Sequence, residues 1–106
     1  MTFSTYPTRI NAVIKNGVTE VVIQMNHPME SGFRTNIVGK PLPKHYIHTV
    51  EIFHQKKLLI NAQLNYTIAN NPKWNFSFHG GKLGDEISVR WLDNLNFERF
   101  DSFIIV

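Results

Sequence analysis

Apolar residues recur at every second position along most of this chain, and short clusters of turn residues break the pattern at close intervals. A period of two puts one side of each segment in a core and the other in water, which is the signature of half-buried β-strands. Ile10, Ala12 and Ile14 alternate with Asn11 and Lys15. Asn16-Gly17 then supplies a pair that accepts positive φ in a tight hairpin, and Val21, Ile23 and Met25 take up the next inward face. Tyr46 to His54 reads as a third strand with Val50 and Ile52 inward, Gln55 to Lys57 as a turn, and Leu58, Ile60, Ala62 and Leu64 as a fourth inward set. Trp74, Phe76 and Phe78 follow, then Ile87, Val89 and Trp91, a turn at Asp93-Asn94, and a last strand that reaches Val106. Phe97, Phe100, Phe103, Ile104 and Ile105 fall on both parities, so that last strand is either central or covered by another subunit. Seven strands without a convincing helix predict an all-β fold, an immunoglobulin-like antiparallel β-sandwich in one domain over residues 1–106.

Composition narrows the function classes. Eight Phe, three Tyr and two Trp supply a core for a chain of 106 residues. Cysteine is absent, which removes disulfides, thiolate catalysis and cysteine-bound metals together. Met1 to Arg9 contains no basic start followed by an apolar run, so no secretory signal is expected, and no stretch approaches the ~18 apolar residues of a membrane span. The net charge of +3 is scattered, with only Lys56-Lys57 adjacent, so no nucleic-acid footprint is expected.

The interruption between strands at His27-Pro28-Met29-Glu30-Ser31-Gly32-Phe33-Arg34 is where the chain turns from sheet building to contact. Pro28 lacks an N–H and restricts His27 to extended geometry, so the preceding ladder should weaken there. Met29, Phe33 and Arg34 offer a flexible thioether, a ring and a planar guanidinium, all favoured at protein interfaces. The connection from His27 to Lys44 is long and holds Pro28, Gly32, Gly39, Pro41 and Pro43. It reads as two extended pieces with a turn at Gly39, or as a hairpin from Phe33 to Leu42. Glu30, four residues before Arg34, suits an ion pair across a turn or a pair of contacts for a partner. The Tyr66 to Lys73 stretch, with Asn70-Asn71-Pro72, reads as a surface connection.

Other motifs carry less. Gly80-Gly81-Lys82-Leu83-Gly84-Asp85 lacks the spacing and the following helix of a phosphate loop and reads as a glycine-rich turn. His45 and His48 point to opposite faces of one strand, and His48 and His54 lie roughly 20 Å apart along it. An approach of His27 and His79 in space is left open, but nothing in the sequence shows it, so neither a metal site nor a cofactor is expected. No nucleophile, base and orienting group stand in a recognised arrangement, and an enzyme is not expected.

The run His27-Pro28-Met29-Glu30-Ser31-Gly32-Phe33-Arg34, followed by Lys40-Pro41-Leu42-Pro43-Lys44-His45-Tyr46-Ile47, closely resembles the central signature of the SoxZ family. The resemblance extends through Arg9 to Val21, Asn71-Pro72, Phe76-Ser77-Phe78, Gly80-Gly81-Lys82, Gly84-Asp85 and Val89 to Asn94, and so covers nearly the whole chain. Ser31 stands where threonine is usual and Phe33 where leucine is usual, and the C-terminus is unusually aromatic. The resemblance implies a non-catalytic scaffold in the SoxYZ sulfur carrier of thiosulfate oxidation. Its implied partner is a SoxY-like subunit whose cysteine arm carries the sulfur intermediates, joined in a heterodimer and visited transiently by other sulfur-oxidation enzymes. It also implies a periplasmic location, reached by export together with that partner. His27, Met29, Glu30, Phe33 and Arg34, with Phe53 as an outward apolar residue, are the expected partner-binding residues. A free-standing immunoglobulin-like ligand-binding module is the alternative, and exposed Trp or Tyr on a flat face would favour it.

Overall fold

A computed structural model describes residues 2–3 and 7–106, and their arrangement is a two-layer immunoglobulin-like sandwich. The strands are β1 (Thr2–Phe3), β2 (Arg9–Lys15), β3 (Val18–Gln24), β4 (Ile47–His54), β5 (Lys57–Gln63), β6 (Lys73–His79), β7 (Glu86–Asp93) and β8 (Phe97–Ile104). One sheet has the order β1-β8-β7-β4-β5, and the other has β2-β3-β6. The seven longer strands pair antiparallel, as the alternation predicts. β1 adds to β8 in parallel and went unseen in the sequence, because two residues carry no period.

The inward faces are those that parity selects. Ala12, Val21, Ile23 and Met25 from the smaller sheet meet Val50, Ile52, Ile87, Val89 and Trp91 from the larger one, all within a few per cent of complete burial. Trp74, Phe76 and Phe78 pack on this core from β6, an edge strand, and are therefore only partly covered. Leu58, expected inward, lies at the turn end of the edge strand β5. A bulge between Ile52 and Phe53 shifts the register there, and Leu58 is left exposed. The two-sided apolar character of β8 is explained in part by its position between β1 and β7. Phe97 and Phe103 pack on the core, whereas Phe100 and Ile104 remain exposed on the outer side of the larger sheet.

The sheets are joined at one end by the chain terminus, where the Val106 N–H donates to the Ala12 carbonyl and the Ile14 N–H donates to the Val106 carbonyl. Nearby, the Gly80-Gly81 turn crosses the end of β3. The Thr19 hydroxyl, fully buried, donates to the Gly80 carbonyl at 2.7 Å. A Cβ on Gly81 would stand 2.5 Å from Thr19 Oγ1, and the backbone there has φ of +87°. Gly84 has a comparable φ of +89° but open space around it. Gly81→Ala should therefore lose about 2 kcal/mol or more of stability, and Gly84→Ala about 1 kcal/mol. Urea unfolding of the two variants beside the parent chain checks the ranking.

A buried histidine-aspartate node under the long loop

The burial period of two does not stop where β3 ends. Val21, Ile23, Met25, His27 and Met29 are all buried, with the intervening residues more exposed, so the chain stays extended across Pro28. The backbone of this stretch pairs with the segment leading into β6. Met25 N–H donates to the Pro72 carbonyl, Asn71 N–H donates to the His27 carbonyl, and Asn71 Oδ1 accepts the His27 N–H. Asn71, with φ of +49°, thus clamps the loop root. Asn70-Asn71-Pro72 is more than the surface connection expected.

At the centre lies Asp93, the last residue of β7. Its side chain is completely buried, and its two oxygens divide the work. Oδ1 accepts the Leu95 and Phe97 backbone N–H groups at 3.0 and 2.9 Å, which shapes the turn into β8. Oδ2 faces His27 Nε2 at 2.9 Å and His45 Nε2 at 2.7 Å. An ionised carboxylate has no proton to give, so both imidazoles donate to it. The His27 ring also packs edge-on against Trp91, with centroids 5.3 Å apart.

The state of His27 follows from its second nitrogen. Nδ1 lies 3.0 Å from the Met29 N–H and must accept it, so the ring's proton sits on Nε2. Burial pushes its pKa below the ordinary 6.5, and His45 acts in the same direction; Asp93 opposes both. For Asp93, burial alone would raise the pKa. The hydrogen bonds from His27, Phe97, His45 and Leu95 outweigh it, so the carboxyl stays below the ordinary 3.8.

Met29 is held in turn. Its backbone takes the left-handed conformation, φ +49°, unusual for a residue with a side chain. Its sulfur accepts the Ile47 N–H at 3.3 Å, at the place where β4 and β7 slip register. Glu30 and His45 then form an isolated antiparallel bridge through both their backbones. Asn94 completes the stitching: its amide donates to the Lys44 carbonyl and its Oδ1 accepts the Tyr46 N–H.

Among the expected partner-binding residues, the structure separates an inside from an outside. His27 and Met29 are 4% and 6% exposed, so they have almost no surface for a partner and act by holding the loop. Glu30 is half-buried and pairs with Arg34 at 3.4 Å, as its spacing suggests. Phe33, 75% exposed, rests one edge on Tyr66 at 5.6 Å, with Lys44 Nζ over the same tyrosine ring at 4.4 Å. Phe53 does not join them. It lies near the far end of β4, about 20 Å from Ile47 at ~3.3 Å per residue, beside Ser88 and Phe100 on the outer side of the larger sheet.

His45 and Asp93 were missed as partners of His27. Parity carried the signal, since Asp93 continues the inward series Ile87, Val89, Trp91, and a carboxylate on the inward side of a strand needs donors.

Two imidazoles and a carboxylate whose ligand atoms lie within 4.8 Å of one another have the composition of a metal site. The hydrogen bonding does not fit one. Binding a cation through His27 Nε2 would require that nitrogen to lose its proton and Nδ1 to gain one, directly against the Met29 N–H. The same two bonds occupy both nitrogens of His27, which leaves it no lone pair for general-base work.

The sequence profile described as "Sulphur oxidation protein SoxZ" matches residues 8–103. No curated protein matches the chain. Among solved structures, the superoxide reductase (neelaredoxin) from Ignicoccus hospitalis is similar at a TM-score of 0.61 and 15% identity, with 95% of this chain and 81% of that one covered. A variant of the same protein gives 0.62 and 16%, with 96% and 82% covered. Identity so low speaks to the fold alone. No helix among the described residues is long and apolar enough to cross a membrane.

Acid should weaken this node in two stages. Below about pH 6.5 the unfolded chain takes up a proton at His27 that the folded chain resists, so stability falls as the pH drops; acidification past 3.8 then costs the stabilisation of ionised Asp93. Urea unfolding at pH 7.5 and 5.5 should show the first loss, and it should be smaller in His27→Gln. Asp93→Asn places amide hydrogens against existing donors and should cost about 3 kcal/mol or more at pH 7.5 in the same assay. With the signature run built around this node and the profile spanning nearly all of the chain, the protein belongs to the SoxZ family.

Proposed function

We propose that the chain is the non-catalytic scaffold subunit of a SoxYZ-type sulfur carrier. In this reading it forms a heterodimer with a SoxY-like subunit whose cysteine arm bears the sulfur intermediates, and it works in the periplasm after export with that subunit. Family membership supplies the sulfur-oxidation setting, and the lack of cysteine agrees with a division of labour in which the partner carries the thiol.

The observation that carries the scaffold reading is the division of the signature loop into a spent interior and a free exterior. His27 has both ring nitrogens occupied, by Asp93 and the Met29 N–H, and Asp93 spends its two oxygens on His27, His45 and the backbone. What faces outward is suited to contact: Phe33 with Tyr66 and Lys44 beside it, and Arg34, whose side chain is 72% exposed. A large, rigid ring beside cationic groups is the composition of an interface hot spot. Phe53 and Phe100, on the outer side of the larger sheet, offer a second apolar contact region. The free-standing ligand-binding module gains no support from the tryptophans, since Trp91 is buried and Trp74 packs against the core.

Co-expression with a SoxY-like subunit from the same organism should yield a 1:1 complex on size-exclusion chromatography. Recovery of this chain alone from its native source, with no cysteine-bearing subunit, would sink the reading. Phe33→Ala should weaken the heterodimer roughly 5- to 100-fold in titration calorimetry, in the ordinary range for a hot-spot ring, while leaving the thermal unfolding of the isolated chain nearly unchanged.

A further inference from the structure

The larger sheet ends in a strand that has a neighbour on one side only. β5 is last in the order β1-β8-β7-β4-β5, and among the described residues no strand meets its second edge. An open row of backbone N–H and C=O groups accepts a further strand unless something blunts it. The molecule's other edges are blunted. β1 is two residues long. On β2, Val106 already donates to the Ala12 carbonyl and accepts the Ile14 N–H. On β6 every exposed side chain is polar or cationic, from Lys73 through Asn75 and Ser77 to His79.

β5 has little of this protection. Its one charge is Lys57, at the turn, and neither a charged residue nor a proline follows until Pro72 and Lys73. Leu58 and Leu59 stand on it 47% and 38% exposed, Leu59 being the extra residue of the bulge, with no partner on β4. The bulge sits at the turn end, and the ladder from Ile60 to Gln63 runs regular. Such a strand suits its own reverse. Under a two-fold axis normal to the sheet, two β5 edges run antiparallel and residues of like parity stand opposite each other. With the axis at Leu59, Ile60 or Asn61, Lys57 meets Asn61, Gln63 or Asn65, so no two charges collide. With the axis at Ile60, Leu58 also meets Ala62, and Ile60 meets itself. The same operation would set Lys73 against His79 on β6 and Arg9 against Lys15 on β2. A foreign strand that carries charge finds no complement along β5, so the edge favours its like. One ladder of a few residues covers less than the ~800 Å² per partner of a stable complex, which makes the pairing reversible.

We infer that the chain pairs reversibly with a second copy of itself through β5, edge to edge and antiparallel, joining the two larger sheets into one continuous sheet. The inference goes beyond the carrier reading and does not depend on it, since it concerns the chain without any other partner.

The test is sedimentation equilibrium of the full chain over a wide range of loading concentrations. The parent should pass from monomer to dimer, and amide hydrogen exchange within residues 58–63 should slow as the dimer forms. Leu59→Lys/Asn61→Lys sets lysines against each other at each of the three axis positions and should weaken the dimer roughly tenfold or more. Leu59→Glu/Asn61→Glu should do the same. An equal mixture of the two variants should associate again, which a folding defect in either one would prevent. A parent that stays monomeric throughout overturns the inference. So does a Lys/Lys variant that dimerises like the parent, or a mixture of two folded variants that fails to associate. Protection of residues 58–63 that arises only when a SoxY-like subunit is added assigns the edge to that partner and overturns the inference, leaving the carrier reading intact. A β5 dimer in a chain that binds no SoxY-like subunit supports the inference and overturns the carrier reading alone.

Discussion

The buried carboxylate of Asp93 holds together parts of the chain that have little else in common. Through Oδ1 it shapes the turn from β7 to β8, and through Oδ2 it draws in a histidine from each end of the long loop. A charge in this position is costly unless every lone pair is used, and here four donors converge on it. The cost of misplacing any donor makes the arrangement specific: the loop has one way of sitting that satisfies Asp93. Met29 adds a second constraint, since its unusual backbone conformation persists only while His27 accepts its N–H and Ile47 donates to its sulfur.

Much of the sheet architecture was legible from alternation alone, because a half-buried strand writes its burial into every second residue. The β2-β3 hairpin was especially clear, with Asn16 and Gly17 both taking the positive φ their types permit. The hairpin within the long loop was legible as an alternative for the same reason, through Gly39. What stayed hidden depended on geometry that local sequence does not encode. The bulge between Ile52 and Phe53 and the register slip at Ile47 arise from pairing between strands, and the two-residue β1 exists only because β8 offers it an edge.

The candidate site was legible in its outline and illegible in its logic. The run from His27 to Arg34 stood out as a break in the strand pattern, but its residues looked alike in one dimension. Parity separates them: His27 and Met29 continue the inward series of β3, while Phe33 and Arg34 fall beyond the bridge at Glu30, where the chain leaves the core. Phe53 was grouped with them by chemistry, and the length of β4 sets it apart.

The route by which the loop is tied down also determines how it bears load. A partner that grips Phe33 and pulls does so on a segment anchored, within a few residues, to β7 through His27 and to β4 through Met29. Those two strands lie side by side in the interior of the larger sheet, each with a neighbour on both flanks. Force applied at the loop is thus delivered to the middle of the sandwich and shared among many ladder bonds sheared together, whereas an attachment to β5 or β6 would peel an edge strand away one bond at a time.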